Sequence, residues 1–184
     1  MPGVRKNLDF SIRNRVAKVL KWSYPDYEIG TVASNRKLEK DNILRVGYLQ
    51  KKEIQEIASR QSNGAAYMNF KFHNVELRIR ELIVTPILII ILLFFFTPIK
   101  LKYKAGGLLA GLLVLYGLIM LKIIAIVGYS ITNTYAPENI SAIQKSIPYF
   151  SSPGLVFLII LIIWMALVLP FVDRKAIEKY FKAL

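Results

Sequence analysis

Residues 82–99 (LIVTPILIIILLFFFTPI), 105–131 (AGGLLAGLLVLYGLIMLKIIAIVGYSI) and 153–172 (PGLVFLIILIIWMALVLPFV) are three apolar blocks that hold a single charge, Lys122. A helix needs about 20 mostly apolar residues to cross roughly 30 Å of hydrocarbon, and the second and third blocks meet that length. The first block has 18 residues. At a rise of about 1.5 Å per residue it covers roughly 27 Å, enough where the bilayer thins slightly. The fold class read from these blocks is a mainly α membrane protein with three transmembrane helices, integral to the plasma (inner) membrane.

Outside the blocks the composition reverses. Residues 1–81 contain 16 Lys and Arg against 9 Asp and Glu, leaving a net charge of +7. About 80 residues are near the lower limit for a core that folds unaided. The division expected is a basic α+β extramembrane domain at 1–81, a three-helix membrane domain at 82–172, and a short basic tail at 173–184. A basic domain beside a bilayer favours anionic lipid headgroups as its partner.

Within that domain, residues 9–22 (DFSIRNRVAKVLKW) place Ile12, Val16, Val19 and Trp22 at helical spacing, with Asp9 as the N-cap. Arg13, Arg15, Lys18 and Lys21 lie between them. Such a helix either rests in the headgroup region, with Trp22, Tyr24 and Tyr27 as interfacial aromatics, or packs its stripe on the small domain. Residues 27–32 and 43–49 have strand composition, and residues 51–61 read as a short helix stopped at Asn63-Gly64. From 66 to 80 the chain alternates, with Met68, Phe70 and Phe72, then Val75, Leu77 and Ile79 on one side. The reading is a β-hairpin turning at His73-Asn74, favoured over a backward extension of the first membrane helix because a period of two does not make a helix face.

In the membrane blocks, Pro86 is expected to kink the first helix and Pro98 to end it. Residues 100–104 (KLKYK) read as a tight basic turn. Gly107 and Gly111 form a GxxxG step that lets another backbone approach closely. If the second helix starts its crossing at Tyr103, Lys122 reaches the opposite interface, where its stem carries the ammonium to the headgroups; the alternative is an intramembrane charge lining a pathway. The loop after residue 131 carries a short helix with Ile140, Ile143 and Ile147, and Asn139-Ile140-Ser141 matches the N-glycosylation tripeptide.

Short loops set orientation. The 100–104 turn carries three lysines and the tail carries Arg174, Lys175, Lys179 and Lys182, against only Lys145 in the 132–152 loop. Turn and tail are therefore expected in the cytoplasm, and the N-terminal domain outside. Residues 1–10 contain no apolar export signal, so this orientation calls for an upstream signal or transmembrane segment. The opposite orientation keeps the domain inside and inverts the charge rule.

Motifs for catalysis are few. There is no cysteine and one histidine, His73. Disulfides, thiolate metal sites and a cysteine nucleophile are excluded, and no GxSxG elbow or phosphate-cradling glycine loop occurs. The expectation is a protein that is not an enzyme and uses no cofactor or metal. Basic and aromatic residues interleave as in nucleic-acid binders, but a membrane-apposed location argues against that partner.

The order of a basic strand, an apolar helix ending in Thr97-Pro98, the KLKYK turn, a Gly/Leu-rich helix, a looped excursion and a last helix resembles small accessory membrane proteins found with exosortases and archaeosortases. The resemblance covers roughly residues 77–182. It implies a setting in which sorting enzymes process C-terminal anchors of exported proteins, with another integral membrane protein as partner. The Cys, Arg and His constellation of the sorting enzymes is not matched, since the chain has no Cys. The function expected is a non-enzymatic accessory or scaffold subunit of a membrane complex for sorting, export or envelope assembly. The alternative is a small transport or channel component using Lys122.

Overall fold

Runs of β-branched and aromatic residues form strands where one face can be buried. In the computed structural model, which describes residues 2–33, 43–62, 73–150 and 152–171, three such runs make an antiparallel sheet. Its strands are β1 (Tyr27–Ala33), β2 (Ile43–Gln50) and β3 (His73–Arg78), in the order β1-β2-β3. Helix α1 (Pro2–Ser23) precedes the sheet and packs on β1, and α2 (Lys51–Ser62) follows β2 without a break. A π-helical turn at Arg80–Val84 leads into α3 (Thr85–Phe96), then α4 (Leu101–Tyr135), α5 (Ala142–Phe150) and α6 (Pro153–Val168). The chain divides into two compact units, one of Met1–Ile79 with Lys122–Lys145, the other of Arg80–Leu121 with Ser146–Leu184.

The first unit is built on the alternation of β2. Leu44, Val46 and Tyr48 are buried on one face, and their cross-strand partners Ile29, Val75 and Leu77 share it. On the other face Arg45 lies opposite Glu76, with an ion pair of 2.8 Å between them. Alternation of this kind fixes register, because a slip of one residue would bring Arg45 and Glu76 onto the buried face. Ile123, Val127 and Ile131 of α4 belong to this unit and are buried as well.

Several boundaries differ from expectation. His73 and Asn74 are not turn residues; they open β3 and pair with Tyr48 and Gly47 of β2. The alternation seen at 75–79 belongs to a strand whose partner is thirty residues upstream. The first half of the expected hairpin, 66–72, lies outside the described residues, as do Asn63-Gly64 and the tail. Asp9 is not an N-cap, since α1 already runs from Pro2, and proline at a helix start has a compatible φ and needs no donor. The packed stripe of α1 is Val16 and Leu20, both fully buried, whereas Trp22 is 84% exposed. A step of four from Val16 leads to Leu20 and Tyr24; steps of three lead away from the sheet.

The second unit is built on apolar helices. Pro86, Ile90 and Phe94 form the buried stripe of α3. The proline ring would press on the carbonyl four residues back, and the preceding turn is the wider π form. The α3 helix ends at Phe96, with extended backbone at Thr97 before Pro98. Residues 101–104, expected as a turn, are the first turn of α4; the connection is the shorter 97–100. Phe94 lies against Gly107 and Ile90 against Gly111, so α3 and the first part of α4 run antiparallel. Two helical segments, Leu101–Tyr135 and Gly154–Phe171, are long and apolar enough to cross a membrane, and the apolar helix at Glu81–Phe96 is shorter.

Helix α4 changes character along its length. Twelve of residues 101–121 are exposed, among them Leu109, Leu113, Val114 and Leu121, while Asn133 is the one exposed residue from 122 to 135. Leu115 and Ile119 are the buried apolar side chains of the first part, where most others are exposed; in the second part Ile123, Val127 and Ile131 are buried.

Candidate functional site

The described polar groups concentrate in the first unit, where the sheet meets the end of α4. Tyr48 and His73 are direct cross-strand partners, and their rings stack with centroids 5.8 Å apart. Tyr135, the last residue of α4, meets His73 edge-on at 5.7 Å and Tyr27 at 5.5 Å. Such pairs contribute about 0.5–1.5 kcal/mol each beyond the area they bury. Four rings from three strands and a helix thus form one cluster.

Hydroxyl groups tie that cluster to α4. The Tyr48 hydroxyl lies 2.8 Å from both Ser130 Oγ and Thr134 Oγ1. The Ser130 carbonyl accepts from the Tyr48 hydroxyl at 3.1 Å and from the Thr134 hydroxyl at 2.8 Å. The Tyr135 hydroxyl donates to Glu53 Oε2 at 3.1 Å and accepts the backbone N–H of Gln50 at 3.3 Å. One turn after another, the helix end is held by the sheet and by the start of α2.

A second grip lies ten residues earlier. The Tyr24 hydroxyl donates to the Ile124 carbonyl at 2.8 Å, and its ring occupies the space where a side chain at residue 128 would project. Gly128 supplies that space. Burial raises the Tyr24 phenol above the usual tyrosine pKa. The Tyr27 phenol is raised too, first by burial and then by the negative charges of Asp26 and Glu53. Both rings therefore stay neutral donors through the physiological range.

No match is found among protein-family models, curated proteins or solved structures. The chemistry of the site must then be argued from its geometry. Among the described residues there is no group of three or more His, Cys, Asp or Glu placed to hold a metal ion. The hydroxyls of Tyr24, Tyr48 and Tyr135 make intramolecular hydrogen bonds, and this arrangement joins a sheet firmly to a helix.

The residues singled out in the sequence occupy three places. Gly107 and Gly111 form a notch on α4 filled by Phe94, Ile90 and Leu167 of the same chain: a Cβ at Gly107 would stand 2.7 Å from the Phe94 ring. Lys122 is half-buried and is the first residue of α4 in the unit that holds the sheet. On α1, Arg15, Lys18, Lys21 and Trp22 are exposed and Arg13 is half-buried; Lys21 is paired with Glu28 at 2.6 Å. In the apolar unit, an open groove of about 540 Å³ is lined by Leu92, Phe96, Pro98, Phe157 and Trp164, among others. Its main polar feature is Thr97, whose hydroxyl donates to the Leu93 carbonyl at 2.6 Å and accepts from the Trp164 indole N–H at 2.9 Å.

The tyrosine grip on α4 was not singled out in the sequence. A signal existed in residues 129–135 (YSITNTY), where Ser130 and Thr134 fall one turn apart at the end of an apolar run. Nothing local identified Tyr48, more than eighty residues away, as their partner.

Proposed function

We propose that the protein is a non-enzymatic accessory or scaffold subunit of an integral membrane complex, in which the chain carries an α+β module outside its membrane-spanning part. The observation that carries this reading is the change along α4. A 35-residue helix is about 50 Å long, well beyond the hydrocarbon thickness of roughly 30 Å. Residues 101–121 have the outward-facing apolar side chains of a span, and at about 1.5 Å per residue they cover roughly 31 Å. In residues 122–135 the buried apolar side chains, Ile123, Val127 and Ile131, belong to the unit that holds the sheet. Lys104 and Lys122 then lie near opposite interfaces, within reach of the headgroups, which favours snorkelling over a pathway role for Lys122.

The antiparallel packing of α3 on residues 101–121 supports a third crossing. Phe94 beside Gly107 and Ile90 beside Gly111 set a register that brings residue 80 level with residue 121. The stretch 80–100 therefore covers the same depth as the span, despite its shorter apolar length. With α6 this makes three crossings. Lys100 at the end of the 97–100 connection, with Lys102 and Lys104 in the first turn of α4, supports a cytoplasmic location for that end and an external α+β module. An α+β module outside the membrane-spanning part suits the setting implied by the exosortase-type resemblance, where an accessory subunit positions exported chains or a sorting enzyme.

Two measurements test this. Single cysteines replacing Lys52, Lys102 and Lys145 in the naturally Cys-free chain are labelled in intact cells with an impermeant thiol reagent. Positions 52 and 145 should label together and 102 should be protected; labelling of 52 and 145 from opposite sides would refute the topology. A photo-reactive residue replacing Phe157 at the groove should then form an adduct with a second integral membrane protein. Adducts with lipid alone would remove the accessory reading.

A further inference from the structure

We infer that one end of the apolar unit, formed by the 97–100 connection, the first turn of α4 and the turn that follows α6, binds anionic phospholipid, with Lys100 and Lys102 taking the headgroup phosphate. The inference rests on the span proposed for residues 101–121. Every contact that builds this end lies inside the one unit. The Lys104 ammonium donates to the Phe95 carbonyl at 2.9 Å and so ties the start of α4 to the end of α3. The Phe171 ring lies on the Tyr103 ring, with centroids 4.8 Å apart and planes 17° from parallel, which ties the chain just past α6 to the same turn.

The charge of this end is uncompensated. Lys100 and Lys102 are exposed, and among the described residues neither is paired with a carboxylate. Lys102 Nζ stands 4.9 Å from the centroid of the Tyr103 ring, a cation–π contact that steadies it beside the aromatic pair. The one carboxylate among the described residues of the unit belongs to Glu81, at the far end of α3. Lys104 adds less, because its ammonium is already engaged by the Phe95 carbonyl.

Bare apolar side chains stand among these cations. Phe95, Leu101 and Leu169 are 71%, 81% and 65% exposed. Leu101 lies between the two lysines, Phe95 carries the carbonyl that Lys104 takes, and Leu169 precedes the stacked Phe171 by two residues. An acidic protein surface in water would match the lysines and leave these side chains uncovered. Anionic lipid matches both, because its phosphate is joined to acyl chains that cover apolar surface. Tyr103 has the ring and hydroxyl that suit the boundary between the two. Each exposed cation near an anionic bilayer surface strengthens the contact roughly fivefold at physiological salt. The groove residue Phe157 precedes Phe171 by 14 residues, about 21 Å along the helix, so a headgroup at the lysines leaves that part of the groove to a partner.

The chain has no cysteine, so Leu101→Cys, which replaces an exposed side chain, can carry a single bimane reporter in reconstituted full-length protein. The vesicles are phosphatidylcholine holding a fixed minor fraction of lipid brominated near the headgroup, either phosphatidylglycerol or phosphatidylcholine. A second protein, Leu113→Cys with the same reporter, is exposed to mid-chain bromines and reports insertion of the span. The expected result is quenching at position 101 severalfold stronger with brominated phosphatidylglycerol, falling to parity when Lys100→Gln and Lys102→Gln are added. Equal quenching by the two lipids at position 101, with the reporter at 113 quenched, would overturn the inference and leave the span intact. Absence of quenching at 113 would overturn the span, and the inference with it. A phosphatidylglycerol preference that survives both glutamine substitutions would refute the assignment to the two lysines.

Discussion

Gly128 shows how much can rest on one missing side chain. Its position in α4 receives the Tyr24 ring, and a Cβ there would collide with the Tyr24 hydroxyl and approach Cζ to 3.0 Å. Tyr24 cannot retreat without giving up its bond to the Ile124 carbonyl. Gly128→Ala is accordingly predicted to destabilise the sheet-bearing unit by about 1–3 kcal/mol, the usual range for overpacking, even though alanine is the better helix former. The nearest atom is the hydroxyl oxygen, so adding Tyr24→Phe should recover part of the loss, although Tyr24→Phe alone is mildly destabilising. Urea titration of the four proteins in nanodiscs, followed by strand circular dichroism, gives the coupling directly. Strict additivity of the two changes would show that this contact is not what Gly128 is for.

At the level of elements, a polar link among the described residues joins the end of α3 to α6. Thr97 bonds back to the last turn of α3 and takes the Trp164 N–H from α6, while Lys104 Nζ donates to the Phe95 carbonyl at 2.9 Å and so covers the end of the same helix. Thr97→Val keeps the shape but strands the indole N–H in apolar surroundings, at an expected cost of about 1–2 kcal/mol, whereas Thr97→Ser should be close to neutral. Thermal unfolding in nanodiscs measures the cost, and equal melting of the Val and Ser variants would refute the link. Elements of this kind were unevenly legible. β1, β2 and α2 were readable within a residue or two because each is a short local pattern bounded by polar or turn residues. The strand at His73–Arg78 was readable as alternation, but its partner was not, since pairing with β2 is a long-range choice that no local spacing encodes. Residues 105–131 read as a single lipid-facing block, because Ile123, Val127 and Ile131 have the same chemistry whether they meet acyl chains or a sheet.

At the scale of the whole molecule, the same helix belongs to two cooperative bodies. The sheet, α1 and residues 122–135 share one core, and Tyr24, Tyr48 and Tyr135 fasten that core to α4. Residues 101–121 share theirs with α3 and α6. A folded module of this kind is stable by only about 5–15 kcal/mol, whereas helices in lipid keep their backbone hydrogen bonds at high denaturant because hydrocarbon offers no substitute. Urea titration in nanodiscs should therefore proceed in two steps. The first should remove strand signal and, with it, the hydrogen-exchange protection of amides 123–134, which leave the helix once the sheet no longer covers them. Amides 105–121 should stay protected through that step. If protection along α4 were lost in one transition, from residue 105 to 134, the helix would be a single cooperative element and the boundary at Lys122 would have no thermodynamic meaning. If the boundary holds, unfolding of the sheet-bearing unit is a local event that the helices of the other unit survive, and refolding starts with residues 101–121 already helical.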